Sequence, residues 1–192
     1  MDQGRLEAFS DGVIAVIITV MVLEMKAPHE PTLAAVCALW PVLLSYILSF
    51  IYVGIYWNNH HHMFKTVERI DGRVMWANLH LLFWISLFPF VTAWMSENHF
   101  APVPTALYGG VLLMAALAWP LLARQLIACN GTEGALARAM GRDVKGWLSI
   151  VLYALAIPSA LFVDARVAGA LYVAVAVLWF VPDRSMERAV AP

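Results

Sequence analysis

The sequence predicts an all-α, polytopic membrane protein with six transmembrane helices forming one domain, 1–192. Three observations carry that reading. Of the 192 residues, 62% are hydrophobic and only 13% charged, whereas soluble globular domains hold about 45–50% apolar and about 25% charged residues. The apolar residues fall into blocks near the roughly 20 residues that cross about 30 Å of hydrocarbon. The basic residues collect in alternate connections between those blocks. Lipid is therefore the expected solvent, and a lipid bilayer the expected partner.

The blocks lie at about 5–25, 33–57, 74–95, 104–127, 145–163 and 166–182. The first opens without a basic n-region and has no small-x-small cleavage site, so it is expected to remain in the mature protein. The second and third carry Pro41 and Pro89. Such prolines break soluble helices, but neighbours in a membrane bundle can satisfy the freed carbonyls. Gly109-Gly110 in the fourth, which also holds Pro120, reads as a point of close helix contact. The fifth, containing Pro158, and the sixth are short and separated only by Asp164-Ala165-Arg166, a tight helical hairpin. No soluble domain fits between the blocks, and no half-length repeat is visible.

Orientation follows from Lys and Arg. With six crossings, Arg5, Lys65, Arg69, Arg73, Arg124, Arg138, Arg142, Lys145, Arg184 and Arg188 share one side, leaving Lys26 and Arg166 on the other. The positive-inside rule makes the first side cytoplasmic, with both chain ends there, in the cell (inner or plasma) membrane. Five crossings would misplace Arg184 and Arg188. Trp40, Trp57, Trp94, Trp147 and Trp179 fall near interfaces, as an aromatic belt does. Cys37 and Cys129 lie on opposite sides in this topology and cannot pair. No phosphate loop, G-x-S-x-G or H-E-x-x-H supports an enzyme, and neither a cofactor, a metal nor a nucleic-acid partner is expected.

The first block is the most informative. At 100° per residue, Phe9, Gly12, Val16, Thr19, Val20 and Leu23 form a stripe about 100° wide. That stripe can be a packing surface or a lining. Asp11 points about 130° away from its centre. An acid two turns into a spanning helix costs a few kcal/mol and should face protein with a partner. Arg73, Trp76, Asn78 and His80 in the third block, and His60 or His61 at the end of the second, lie at similar depth. Asp11 and these donors make either a packing network or a proton or ion site. His60-His61-His62 cannot converge on one ion, since consecutive helical residues point about 100° apart. Glu24 and Glu30 either concentrate cations near the outer end or are solvated loop charges.

Arg5-x-x-x-Phe9-Ser10-Asp11-Gly12, opening a first transmembrane helix, resembles the R-x-x-x-F-S-D motif of the transmembrane protein 175 family, which includes the endolysosomal potassium channel and its bacterial homologues. The resemblance continues through Tyr56-Trp57-x-x-His60-His61-x-x-Phe64, Asp71, Trp76-x-Asn78 and Phe88-Pro89-Phe90. It implies a potassium-permeable cation channel, favouring K⁺ over Na⁺, built as a homotetramer whose first helices line a central pore. It further implies a constriction at Val16, Val20 and Leu23, a hydroxyl layer at Thr19, and Glu24 as an acid at the pore mouth. Arg5, Phe9, Ser10, Asp11, His60, His61, Trp76, Asn78 and His80 would brace the pore helix. Two departures stand out: Val16 is smaller than the family's usual Ile or Leu, and Arg5 projects onto the pore stripe. No T-V-G-Y-G filter is present, so apolar rings would obstruct ions by dewetting. The competing readings are a proton-coupled secondary transporter, for which inverted repeats and broken midplane helices are lacking, and a non-transport membrane scaffold.

Overall fold

A computed structural model of the chain describes residues 2–132, 134–140 and 143–180. Among the described residues the structure is helical, with no strand. The elements are α1 (Gln3–Leu23), α2 (Leu33–Ala38), α3 (Trp40–Lys65), α4 (Gly72–Ser86), α5 (Phe88–Glu97), α6 (Pro102–Asn130), α7 (Ala135–Met140), α8 (Val144–Phe162) and α9 (Ala165–Phe180). Five stretches are long and apolar enough to span a membrane: α1, α3, the α4–α5 pair, α6 and α8. The protein is a multi-pass membrane protein. α9, at 16 residues, reaches only about 24 Å at 1.5 Å per residue. The expected sixth block ends at 182, and residues 181–192, with Arg184 and Arg188, lie outside the described residues, as does Arg142.

Local chemistry starts and stops these helices. Asp71 caps α4, its Oδ1 accepting from the N–H groups of Arg73 and Val74 at 2.9 Å each. Pro41 and Pro89 sit in the first turns of α3 and α5, where a missing N–H costs nothing. The block expected at 74–95 is consequently two helices, broken at Leu87. Asp164 takes the Arg166 N–H at 2.8 Å and turns α8 into α9. His99 and Phe100, between α5 and α6, adopt positive φ of 50° and 59°.

The 29-residue α6 is the axis of the bundle, packing against α4, α5, α8 and α9. Its Leu112, Ala115, Ala118 and Leu122 are fully buried. At its end Asn130 clamps the α3–α4 connection, accepting from Glu68 and Arg69 N–H at 2.9 and 2.8 Å and donating to the Arg69 carbonyl at 2.9 Å. Several polar groups in the interior pair with one another, as hydrocarbon demands. Ser49 Oγ meets Thr92 Oγ1 at 2.7 Å and Tyr108 OH at 3.0 Å. Tyr52 donates to the Tyr172 carbonyl, and Tyr172 to that of Thr105 at 3.0 Å.

Candidate functional site

α1 packs through one face and leaves the other open. Leu6, Ser10, Ile14, Ile17 and Met21, spaced by three and four, are buried against α3, α4 and α5. On the far side Phe9 is 49% exposed, Val16 59% and Leu23 76%, with Gly12 and Thr19 also exposed. Thr19 Oγ1 donates to the Val16 carbonyl at 2.8 Å, so its oxygen lone pairs remain free. Val20 is half-buried at the edge of this stripe. It lies in a groove of about 910 Å³ between α1 and α5, with Phe9, Val16, Pro89 and Phe90 in its walls and Glu24 also lining it.

The N-terminal half of α1 is tied down by two sets of polar contacts. The buried set runs His60–Asn78–Ser10. The Asn78 amide donates to Ser10 Oγ at 2.9 Å, Ser10 donates to the Leu6 carbonyl at 2.8 Å, and Asn78 Oδ1 lies 2.8 Å from His60 Nε2. Since the Asn78 oxygen accepts, Nε2 carries the proton, and the unpartnered buried Nδ1 keeps only a lone pair. The His60 ring stacks on Phe64 at 4.4 Å.

The shallower set joins α1 to α3. Trp57 Nε1 donates to Asp11 Oδ1 at 3.0 Å, and His61 Nδ1 meets Glu7 Oε1 at 2.8 Å. Trp57 and His61 stack at 6.1 Å, 13° from parallel. Glu7 and Asp11 are four apart on one helix, Trp57 and His61 four apart on the other, so the two pairs form consecutive rungs. Sequence reasoning missed Glu7 and placed Trp57 in the aromatic belt and in the family motif, but not in the brace. The matched spacing was the available signal.

Four residues expected in the brace do not join it within the chain. Arg5 is exposed on the open side of α1, and Trp76 is 75% exposed. His80 accepts from Trp84 Nε1 at 3.0 Å on its own helix. The reason is helical geometry. Trp76 and His80 stand two residues either side of the buried Asn78, which rotates each about 200° away from it. Phe9 lines the groove instead. Asp11 takes its donor from α3, not from Arg73, Trp76, Asn78 or His80. Among the described residues no group of three or more His, Cys, Asp or Glu is placed to hold a metal, and both cysteines are free.

A helical bundle with several membrane-crossing helices, one of them held by a polar brace on one face and open on the other, is that of a multi-pass membrane protein. Residues 5–89 match the family described as endosomal/lysosomal potassium channel TMEM175. The chain is 48% identical over 188 residues to a protein of Chryseobacterium sp. named a potassium channel, covering 98% of this chain and 97% of that one. The crystal structure of a lysosomal potassium-selective channel TMEM175 homolog from Chamaesiphon minutus superposes with a TM-score of 0.82 at 28% identity, covering 98% of each chain. A mouse relative, named endosomal/lysosomal proton channel TMEM175, is 29% identical over 116 residues, 54% of this chain but 23% of the mouse protein. The chain belongs to the TMEM175 family.

Proposed function

We propose that the chain is the subunit of a potassium-permeable channel, without cofactor or catalytic role, in which four copies surround a pore lined by α1. The observation that carries this reading is the open face of α1. Phe9, Gly12, Val16, Thr19 and Leu23 are exposed in the subunit, while every fourth or third residue opposite is buried. A chain with one such helix makes a closed central pore only by cyclic association with copies of itself. The names of the Chryseobacterium and Chamaesiphon relatives support potassium as the permeant ion.

In this arrangement Val16 and Leu23 form apolar rings that expel water, with Val20 contributing from the stripe's edge. Thr19, its proton committed to the Val16 carbonyl, presents oxygen to a partly dehydrated cation between those rings. Glu24, at the end of α1, adds negative charge at the mouth and raises local cation concentration. Asp11, Ser10, Asn78, His60 and the Glu7–His61 pair hold the helix and do not carry ions. Both chain ends face the cytoplasm, and sodium passes less readily than potassium.

Purified protein in liposomes under potassium, sodium or proton gradients tests the reading. Wild type should pass potassium faster than sodium. Leu23→Asn or Val16→Asn should raise potassium flux several-fold, whereas Ile18→Thr, on the side packed against the core, should not. Thr19→Val should reduce the preference for potassium with assembly intact. The mouse relative's name favours one second reading, a proton pathway through the same pore. Proton flux without potassium flux would select it, and no flux at all would leave a scaffold.

A further inference from the structure

Distinct from the α1 groove, a cavity of about 840 Å³ opens at the end of the bundle where α5 turns into α6 and α8 into α9. That volume lies within the roughly 300–1,000 Å³ of small-molecule sites. Leu44, Leu48, Met95, Phe100 and Val173 make its walls apolar, while His99, Asp164 and Arg166 also line it. Trp40, 56% exposed and 6.1 Å from the Phe100 ring, lies at the start of α3 beside it, as a tryptophan at the level of lipid headgroups does. The site is therefore amphiphilic, with its charges gathered at the hairpin end.

Two features point to an occupant. Thr105, also lining the cavity, is 1% exposed, and its Oγ1 has no hydrogen-bond partner. It stands three residues inside the start of α6, about 4.5 Å from the helix end. An unsatisfied buried hydroxyl is costly, and an ester oxygen would supply its acceptor. The second feature is the charge pair. Asp164 and Arg166 are both exposed, and the carboxylate is fixed by the Arg166 N–H at 2.8 Å. No ion pair to the Arg166 guanidinium occurs among the described residues, whereas Lys26, the other cation of that end, pairs with Glu97 at 3.4 Å.

We propose that this cavity binds one zwitterionic phospholipid of the phosphatidylethanolamine class. Its acyl chain lies between α3, α6 and α9, an ester carbonyl accepts from Thr105, the phosphate sits on Arg166 and the ammonium on Asp164. A purely anionic headgroup would satisfy Arg166 but be repelled by Asp164. The inference depends only on the chain's being a membrane protein and stands apart from the channel reading.

Native mass spectrometry of protein extracted from vesicles of equal phosphatidylethanolamine and phosphatidylglycerol tests it. Wild type should retain one phosphatidylethanolamine per chain, favoured about five-fold over phosphatidylglycerol, equivalent to about 1 kcal/mol. The double variant Asp164→Asn/Arg166→Gln should lose that preference. Gly169→Leu should lose retention of both lipids. Gly169 lines the cavity and a Cβ there meets nothing within 4 Å, so a side chain can be introduced at that position. Circular dichroism checks that the variants are folded. Equal retention of the two lipids by wild type, or unchanged preference in the double variant, overturns the headgroup assignment. Undiminished lipid retention by folded Gly169→Leu, or a second copy of the chain covering the cavity, overturns the site.

Discussion

Asn78 stands in the middle of a buried hydrogen-bond chain, donating to Ser10 Oγ at 2.9 Å and facing His60 Nε2 at 2.8 Å through its carbonyl oxygen. Both neighbours are buried. Asn78→Ala should therefore cost about 1–3 kcal/mol for each group left unpaired. Asp11 is held differently. Its partner Trp57 is 45% exposed, so the indole N–H finds another acceptor once the carboxylate is removed, and Asp11→Ala should cost about 1 kcal/mol or less. Thermal unfolding of the purified variants gives the order, and a larger loss from Asp11→Ala would show that the shallow rungs, not the buried chain, hold α1. The two residues are indistinguishable in the sequence as polar positions of spanning helices. Burial separates them, and burial depends on how far each helix is rotated in the bundle.

At the scale of elements, Gly109 and Gly110 read alike in the sequence, both as allowances for close helix contact. Only one of them serves that purpose within the chain. A Cβ on Gly109 would collide with the Tyr172 hydroxyl of α9, whereas one on Gly110 meets nothing within 4 Å. Gly109→Ala would push Tyr172 off the Thr105 carbonyl and away from Tyr108, its ring neighbour at 5.5 Å. It should destabilise the protein by about 1–3 kcal/mol, the usual range for overpacking. Gly110→Ala should be neutral or slightly stabilising, because alanine is the better helix former; equal melting temperatures for the pair would contradict this packing. A second element-level contact is equally testable. Asn130→Ala removes the clamp between the end of α6 and the α3–α4 connection. Amide exchange at Glu68 and Arg69 should then accelerate in hydrogen–deuterium measurements, while amides in the middle of α6 keep their protection. Unchanged exchange would mean that the connection is held by something else.

The whole molecule leaves a large apolar surface uncovered, much of it suited to lipid. The groove of about 910 Å³ between α1 and α5 differs in being continuous with the open face of α1 and ending at Glu24 and Glu97. Native mass measurement in mild detergent should find four chains, and a purely monomeric protein would sink the pore model. Phe90→Lys tests the groove itself. Phe90 is 60% exposed in the subunit, so a charge there should disrupt assembly without unfolding the chain. Intact tetramers of that variant would place the contact between copies on another face.

The sequence by itself determined that this is a multi-pass helical membrane protein, because its apolar blocks leave the backbone no other way to satisfy its polar groups in lipid. It also determined that α1 has two unlike faces, because a 100° step sorts side chains without reference to any neighbour. Pairings between helices lay beyond that step. That Trp57 meets Asp11, that His61 meets Glu7, and that Trp76 and His80 turn away while Asn78 turns in all depend on the rotation and depth of α3 and α4 against α1. So does the cavity beside Thr105, whose lining comes from five helices. Those rotations and depths are set by close packing around α6, a cooperative property of every contacting side chain that no single segment encodes.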